Sequence, residues 1–298
     1  MAIARPGYAR QPALELDGRF AGWLRSLQPP GYQVDTVVAP LGPNGAARLA
    51  ANVGITPMAA EFDLHQPGPL LDWALSLPRA NGVARAGAGL MFDIDLKLNR
   101  RIAWSDGWLT ELRLPTLDAT SKLPFTIGLT WQPGAVSYPK VSAEAVPGAT
   151  TVRKKGPLRC NYRVQGLPFD SRWVTRVALP TVSARLAEEA HGLGRLPSRH
   201  QSSVQMGEVR LDLAAAGRDA ALAWVGKTIA DGVIADSEYL SLTIDLPDAT
   251  QKNVLASLTL SGCGLLGYSE EALGGGDEAL PGVSLRLAVG SLDLKVNG

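Results

Sequence analysis

The sequence predicts a mostly β chain of the α+β class, in which antiparallel strands dominate, helices are short and the whole pattern is carried twice in tandem. Three observations support this. Apolar and polar residues alternate strictly over several segments, the period of a half-buried strand. Helical period is confined to a few short stretches, and one order of small motifs recurs in the second half at nearly the same spacing.

Along the chain, "LELDGRFAGWLRSLQ" (residues 14–28) reads as an opening strand and a short glycine-containing turn. Phe92, Ile94, Leu96 and Leu98 then alternate with Asp93, Asp95, Lys97 and Asn99, and Phe125, Ile127, Leu129 and Trp131 with Thr126, Gly128 and Thr130; each set predicts a strand. The second half repeats the habit in Leu240, Leu242, Ile244 and Leu246, in 255–260, and in Val283, Leu285, Leu287 and Val289. A helix is expected within "PGPLLDWALSLPRANG" (67–82), with Pro69 in its first turn and Pro78 beyond its end. A second is expected within "GRDAALAWVGKTIADG" (217–232), where Ala221, Trp224, Val225, Thr228 and Ile229 share a face and Gly232 is the stop. A third, shorter candidate runs over 183–191 with Ser183 as N-cap. These helices are too few to cover both faces of a doubly wound sheet, which leaves antiparallel β.

The halves echo one another. "FDLHQPG" (62–68) and "LDLAAAG" (211–217) share apolar-Asp-Leu-x-x-x-Gly and lead into helices bearing Trp73 and Trp224; Ile94-Asp95-Leu96 is matched by Ile244-Asp245-Leu246. Asp17-x-Arg19-Phe20 is matched by Asp170-x-Arg172-Trp173 in "FDSRW". The expected division is a first domain over 1–138, a linker over 139–160 and a diverged second copy over 161–298. The linker combines Pro, Gly, small residues and the charge run Arg153-Lys154-Lys155, with part of it able to pair as an edge strand. A length of 298 residues fits two domains, and 46% apolar with 19% charged residues fits a sizeable core.

A net charge of +1 gives no footprint for nucleic acid. No stretch approaches the roughly 20 apolar residues of a spanning helix, and the start lacks the apolar segment of an export signal, so synthesis in the cytoplasm is expected. Cys160 and Cys263 are far apart and away from His residues, which supports neither a disulfide framework nor a zinc site. Gly262-Cys263-Gly264-Leu265-Leu266-Gly267 matches GxGxxG formally, but "YSEEALGGGDEALPG" follows where a dinucleotide site needs a helix and a second parallel strand, so a glycine-rich strand end is expected. No phosphate-binding GxxxxGK[ST], no GxSxG and no HExxH occurs. Asp93 with Asp95, and Asp63 with His65, have the i, i+2 spacing of one strand face, which solvent-facing strand residues share. His191 and His200 flank a polar segment that reads as surface loop. No catalytic residue, cofactor or metal ligand is expected.

Trp73 and Trp224 read as core anchors. Trp23, beside Arg25, has two readings, a buried core residue or an intermolecular contact, since Trp and Arg are enriched at interface anchors.

With these residues in view, "LDGRFAGWLRSLQ" followed by "LTELRLPTLDATSKLPFTIGLTWQPGAVSY" resembles the tail-tube protein family of contractile phages and of the related contractile injection systems, over most of 14–138. Its most specific part is residues 115–122, "PTLDATSK", followed by a strand ending at Pro133. The resemblance implies a small antiparallel β-sandwich-like domain with a short helix at its side; this chain departs from the family in length, since a second, diverged copy without the "PTLDATSK" stretch follows. Six such domains close a ring whose inner strands form a continuous barrel around a lumen, and rings stack into the inner tube that a sheath drives. It also implies a non-enzymatic role, tail-tube, spike or hub, baseplate and sheath proteins as partners, and a place in a tail or injection particle after assembly in the cytoplasm. Two domains per chain let three chains build a pseudo-hexameric ring, as a hub or adaptor between a trimeric spike and a sixfold tube requires. Arg19, Phe20, Trp23, Arg25, Arg172 and Trp173 are then candidate contacts between subunits or rings, and Asp93, Asp95, Lys97 and Asp245 candidate lumen residues. A main tube subunit of fused domains is the close alternative. A carbohydrate-binding β-sandwich is the alternative of another class, and it requires accessible rings at Trp104, Trp108 and Trp131.

Overall fold

The computed structural model describes residues 12–40, 46–64, 68–93, 97–141, 156–189, 197–231, 239–270 and 282–297. The first half contributes β1 (Pro12–Leu16), β2 (Arg19–Trp23), β3 (Ser26–Gln28), β4 (Tyr32–Pro40), β5 (Ala46–Ile55), β6 (Met58–Asp63), α1 (Pro69–Ser76), β7 (Arg85–Phe92), β8 (Leu98–Arg113), β9 (Leu117–Asp118), β10 (Thr126–Gln132) and β11 (Ala135–Ser137). The second contributes β12 (Arg163–Gln165), β13 (Val174–Ala178), β14 (Val182–Glu189), β15 (Ser198–Met206), β16 (Val209–Leu213), α2 (Arg218–Asp231), β17 (Leu240–Pro247), β18 (Val254–Glu270), β19 (Val283–Ala288) and β20 (Ser291–Val296). The chain is mostly antiparallel β with few helices.

The opening hairpin follows from its turn. Asp17 and Gly18 both have positive φ, 49° and 78°, the left-handed pair that lets two twisted strands meet over a two-residue loop. α1 starts at Pro69, whose missing N–H costs nothing in a first turn, and ends ahead of Pro78. It buries Leu70, Leu71, Trp73, Ala74 and Leu75. Among the described side chains of α2, Ala221 and Val225 are buried, Trp224 meets Phe169 at a ring distance of 6.2 Å and Ile229 is 72% exposed, so its core-facing stripe is narrower than the sequence pattern.

The first sheet runs β2-β1-β7-β8-β10-β6-β3, with β11 also on β8; the second runs β12-β17-β18-β19-β16-β13, with β20 also on β18. From β1 and β12 onward the two orders have the same connectivity, and details of register recur. A bulge opposes Leu109 and Glu111 of β8 to Trp131 and Thr130 of β10, and one opposes Leu265 and Gly267 of β18 to Leu287 and Arg286 of β19. The Gly134 N–H donates to the Ser105 carbonyl at 2.9 Å and the Gly290 N–H to the Ser261 carbonyl at 3.0 Å. Residues 105–113 and 261–269 thus correspond at a constant offset, with Asp106 (φ 50°) and Gly262 (φ 66°) at corresponding positions of positive φ.

One large core runs through both halves. Within it Trp131 touches Trp73 and Trp104 at ring distances of 5.6 and 5.2 Å. A smaller cluster on the other face of the first sheet joins Ala13, Trp23, Ala88, Leu90 and Phe92.

Three expectations fail. Residues 92–99 are not one strand: Phe92 ends β7, and Asp93 and Lys97 close the connection to β8 through Asp93 N–H to Lys97 carbonyl (2.9 Å) and Lys97 N–H to the Asp93 carboxylate (2.8 Å). Residues 94–96, with Asp95, lie outside the described residues. The expected helix at 183–191 is strand over 183–189, because β15 supplies partners along all of β14 and pairing overrides the local preference; His191 lies outside the described residues. The "DGRF" and "DSRW" echo also joins unlike structures, a hairpin turn and a single 3-10 turn capped by Asp170.

Candidate assembly interface

The two sheets exchange strands. β9, from the first half, adds to the outer edge of β13 in the second sheet, with Leu117 opposite Val177 and Asp118 opposite Arg176. β14, from the second half, adds to β8 in the first sheet, with Val182 opposite Leu112 and Ser183 opposite Glu111. Each addition gives otherwise bare backbone groups a ladder partner.

The hairpin β14–β15 is seated by more than its first rungs. The Gly207 N–H donates to the Thr181 carbonyl at 2.8 Å and closes its base. Arg199 holds Glu188 at 2.7 Å and donates to the Pro133 carbonyl at 3.3 Å, beside Trp108 and Gly134. Gln201 lies against Gly82, where a Cβ would fall 2.1 Å from its amide oxygen. Arg79 and Asp293 add an exposed ion pair between the halves at 3.0 Å.

At the other exchange the "PTLDATSK" segment turns on Asp118. Its carboxylate accepts from the Thr120 hydroxyl (2.6 Å) and N–H (2.8 Å), which holds its pKa below the ordinary carboxylate range. The Ala119 N–H donates to Thr175 at 3.1 Å. The end of the expected linker docks here too, with Leu158 bridging Pro124 and the Phe125 N–H donating to Pro157 at 2.8 Å; residues 142–155, with the charge run, lie outside the described residues.

The residues singled out in the sequence do not gather in one place. Trp23 is 8% exposed and packs between Phe20 (5.4 Å) and Phe92 (5.2 Å), which makes it a core residue. Arg19 is exposed and Arg25 pairs with Asp63. Arg172 lies 4.5 Å over the Trp173 ring and binds Asp170 at 2.9 Å, in the turn that leads into β13. Asp245 accepts from Ser257 (2.6 Å) and Gln165 (3.0 Å) across the second sheet. The exchange residues Leu112, Val182 and Val177 carry no distinguishing signal in the sequence, since an apolar strand residue looks the same whether its neighbour comes from its own half or the other.

Among the described residues no three His, Cys, Asp or Glu side chains stand close enough to share a metal ion. In a cavity lined by Cys160, Tyr162, Gln165, Asp170 and Arg172, burial pushes the Tyr162 hydroxyl up to about 12. Gly262, Gly264 and Gly267 lie within β18, so the GxGxxG pattern is strand and not a phosphate turn. Trp104 and Trp131 are buried and Trp108 half-buried.

No protein-family model and no curated protein sequence matches the chain. Among solved structures, the tube-terminating cap of the anti-feeding prophage is similar over 52% of this chain and 100% of its own, at 13% identity and a TM-score of 0.41. The sheath/tube terminator of the PVC extracellular contractile injection system in its extended state covers 47% of this chain and 100% of its own, at 17% identity and 0.41. The sheath-tube complex of that system covers 46% and 89%, at 12% identity and 0.38.

Proposed function

We propose that the chain is a structural ring subunit of a phage tail or contractile injection system, with two tube-like domains per chain and three chains to a pseudo-hexameric ring at a tube end or baseplate hub. The observation that carries this reading is the pair of sheets with equal strand order, each completed by a strand from the other half. A unit that repeats its topology and exchanges edges in a head-to-tail sense is suited to closed rings, because the same junction can be made again by the next unit. The resemblance of the first half to tail-tube proteins supplies the kind of ring. Its partners are then copies of itself, the tube, and hub, baseplate or sheath proteins.

Native mass measurement with negative-stain imaging tests it. Rings of three chains are expected. Six chains per ring, or tubes of indefinite length, would favour the tube subunit of fused domains, and a monomer at high concentration would end both. The carbohydrate-binding reading is disfavoured by the burial of Trp104 and Trp131.

A further inference from the structure

The hairpin β4–β5 has no strand partner beyond its own two strands among the described residues. Its counterpart, β14–β15, occupies the same place in the connectivity, between β13 and β16 as β4–β5 lies between β3 and β6. Register fixes the correspondence residue by residue. Leu27 opposes Ala60 as Val177 opposes Leu211, and the Thr56 N–H closes on the Gly31 carbonyl at 2.9 Å as Gly207 closes on Thr181. Tyr32, opposite Ile55, therefore stands where Val182, opposite Met206, stands. Further out, Arg48 faces Val38 in the ladder as Arg199 faces Glu188.

The strand on which such a hairpin would sit also recurs. β8 is paired along its first part by β7 and β11 and along its last part by β10 on one side and β14 on the other. β18 is paired along its first part by β17 and β20, but along 264–270 only by β19 among the described residues. The edge that β14 covers on β8 thus has no strand partner on β18 among the described residues. Side-chain burial follows the same division. Where the hairpin is seated, Val182 and Leu112 are each 0% exposed and Leu109 is buried; at the equivalent positions Tyr32 is 56% exposed, Tyr268 and Leu265 are only half-buried, and neighbouring Leu266 is 54% exposed. The β4–β5 hairpin carries further exposed apolar residues in Val34, Val37 and Val38.

We infer that β4 of one chain adds to that edge of β18 of a second copy of the same chain, with Tyr32 opposite Tyr268 and Gln33 opposite Gly267. The occupant is a second copy because the chain already holds this junction once internally, with the same hairpin position, acceptor strand and rung. The contact is heterologous, hairpin to strand, so each chain offers one of each and the set can close on itself. The inference deepens the ring reading and rests on it only for closure.

Mixing two full-length chains, one carrying Tyr32→Cys and the other Tyr268→Cys, under mild oxidation tests it, since strand neighbours lie within disulfide reach. A disulfide joining the two different chains at the introduced positions, mapped by peptide mass, is expected. In parallel, Tyr32→Asp should leave far-UV circular dichroism unchanged, the ring being exposed in the single chain, and raise the concentration needed for assembly by roughly 100-fold or more, as burial of an unpaired charge requires. A disulfide between two Tyr32→Cys chains, or assembly that persists with Tyr32→Asp and without the mixed disulfide, would overturn the inference while leaving rings intact. Mixed disulfides in open chains with no closed ring would uphold the junction and overturn the ring reading, and a chain that stays monomeric and uncrosslinked would overturn both.

Discussion

Arg101 grips the Glu15 carboxylate through two guanidinium nitrogens, one at 2.8 Å, reaching from β8 across β7 to β1. The small side chains of Ala88 and Ala103 on the rungs between leave room for the reach. Glu15 is the one charged residue buried among the described residues, so removing its partner is costly. Arg101→Met should lower unfolding free energy by about 3 kcal/mol in a denaturant titration. Adding Glu15→Gln should recover much of that loss, because the uncompensated charge goes with it.

Gly87 occupies a place where an added Cβ would meet the Glu15 carbonyl oxygen at 2.4 Å and the Trp104 ring at 2.5 Å. Gly87→Ala should therefore cost about 1–3 kcal/mol by overpacking. Near-ultraviolet circular dichroism should change with it, since Trp104 and Trp131 share a ring contact.

The strands whose apolar faces alternate cleanly, such as 126–132 and 283–288, and the two longer helices were legible because each signal lies within a dozen residues. The repeat was legible as an order of elements but not as a register. The shared "DL" motifs suggest matching Phe62 with Leu211, whereas the ladders match Phe62 with Leu213, through Ile127 and Val283. Asp93 misled because a carboxylate that closes a turn sits at the same spacing as a solvent-facing strand residue. The exchanged strands were invisible for a different reason: Val182 and Leu112 are ordinary strand residues whose partnership depends on contacts between distant parts of the chain.

Leu112→Ala removes a fully buried side chain at the junction with β14 and should cost about 2–5 kcal/mol. Hydrogen exchange read by mass spectrometry should quicken in Val182–Glu189 more than in Arg163–Gln165, which belongs to the other sheet.

Asp118 links stability to acid. Its folded pKa lies below the unfolded value of about 3.9, so its contribution is present above that value and is lost as pH falls through the folded pKa. Asp118→Asn should flatten the acid limb of a stability profile below about pH 4 and leave its shape near neutrality unchanged. An unchanged acid limb would mean that Thr120 does not hold the carboxylate in solution.

The exchange of β14 into the first sheet also sets a timetable for synthesis. Leu112 leaves the ribosome well before Val182, and at roughly 5–20 residues per second the delay is on the order of ten seconds. During that interval the nascent first half presents an unfilled strand edge, while its own β4–β5 hairpin is already made. Filling the edge from within the same polypeptide at high effective concentration would keep newborn chains from polymerising before they are complete.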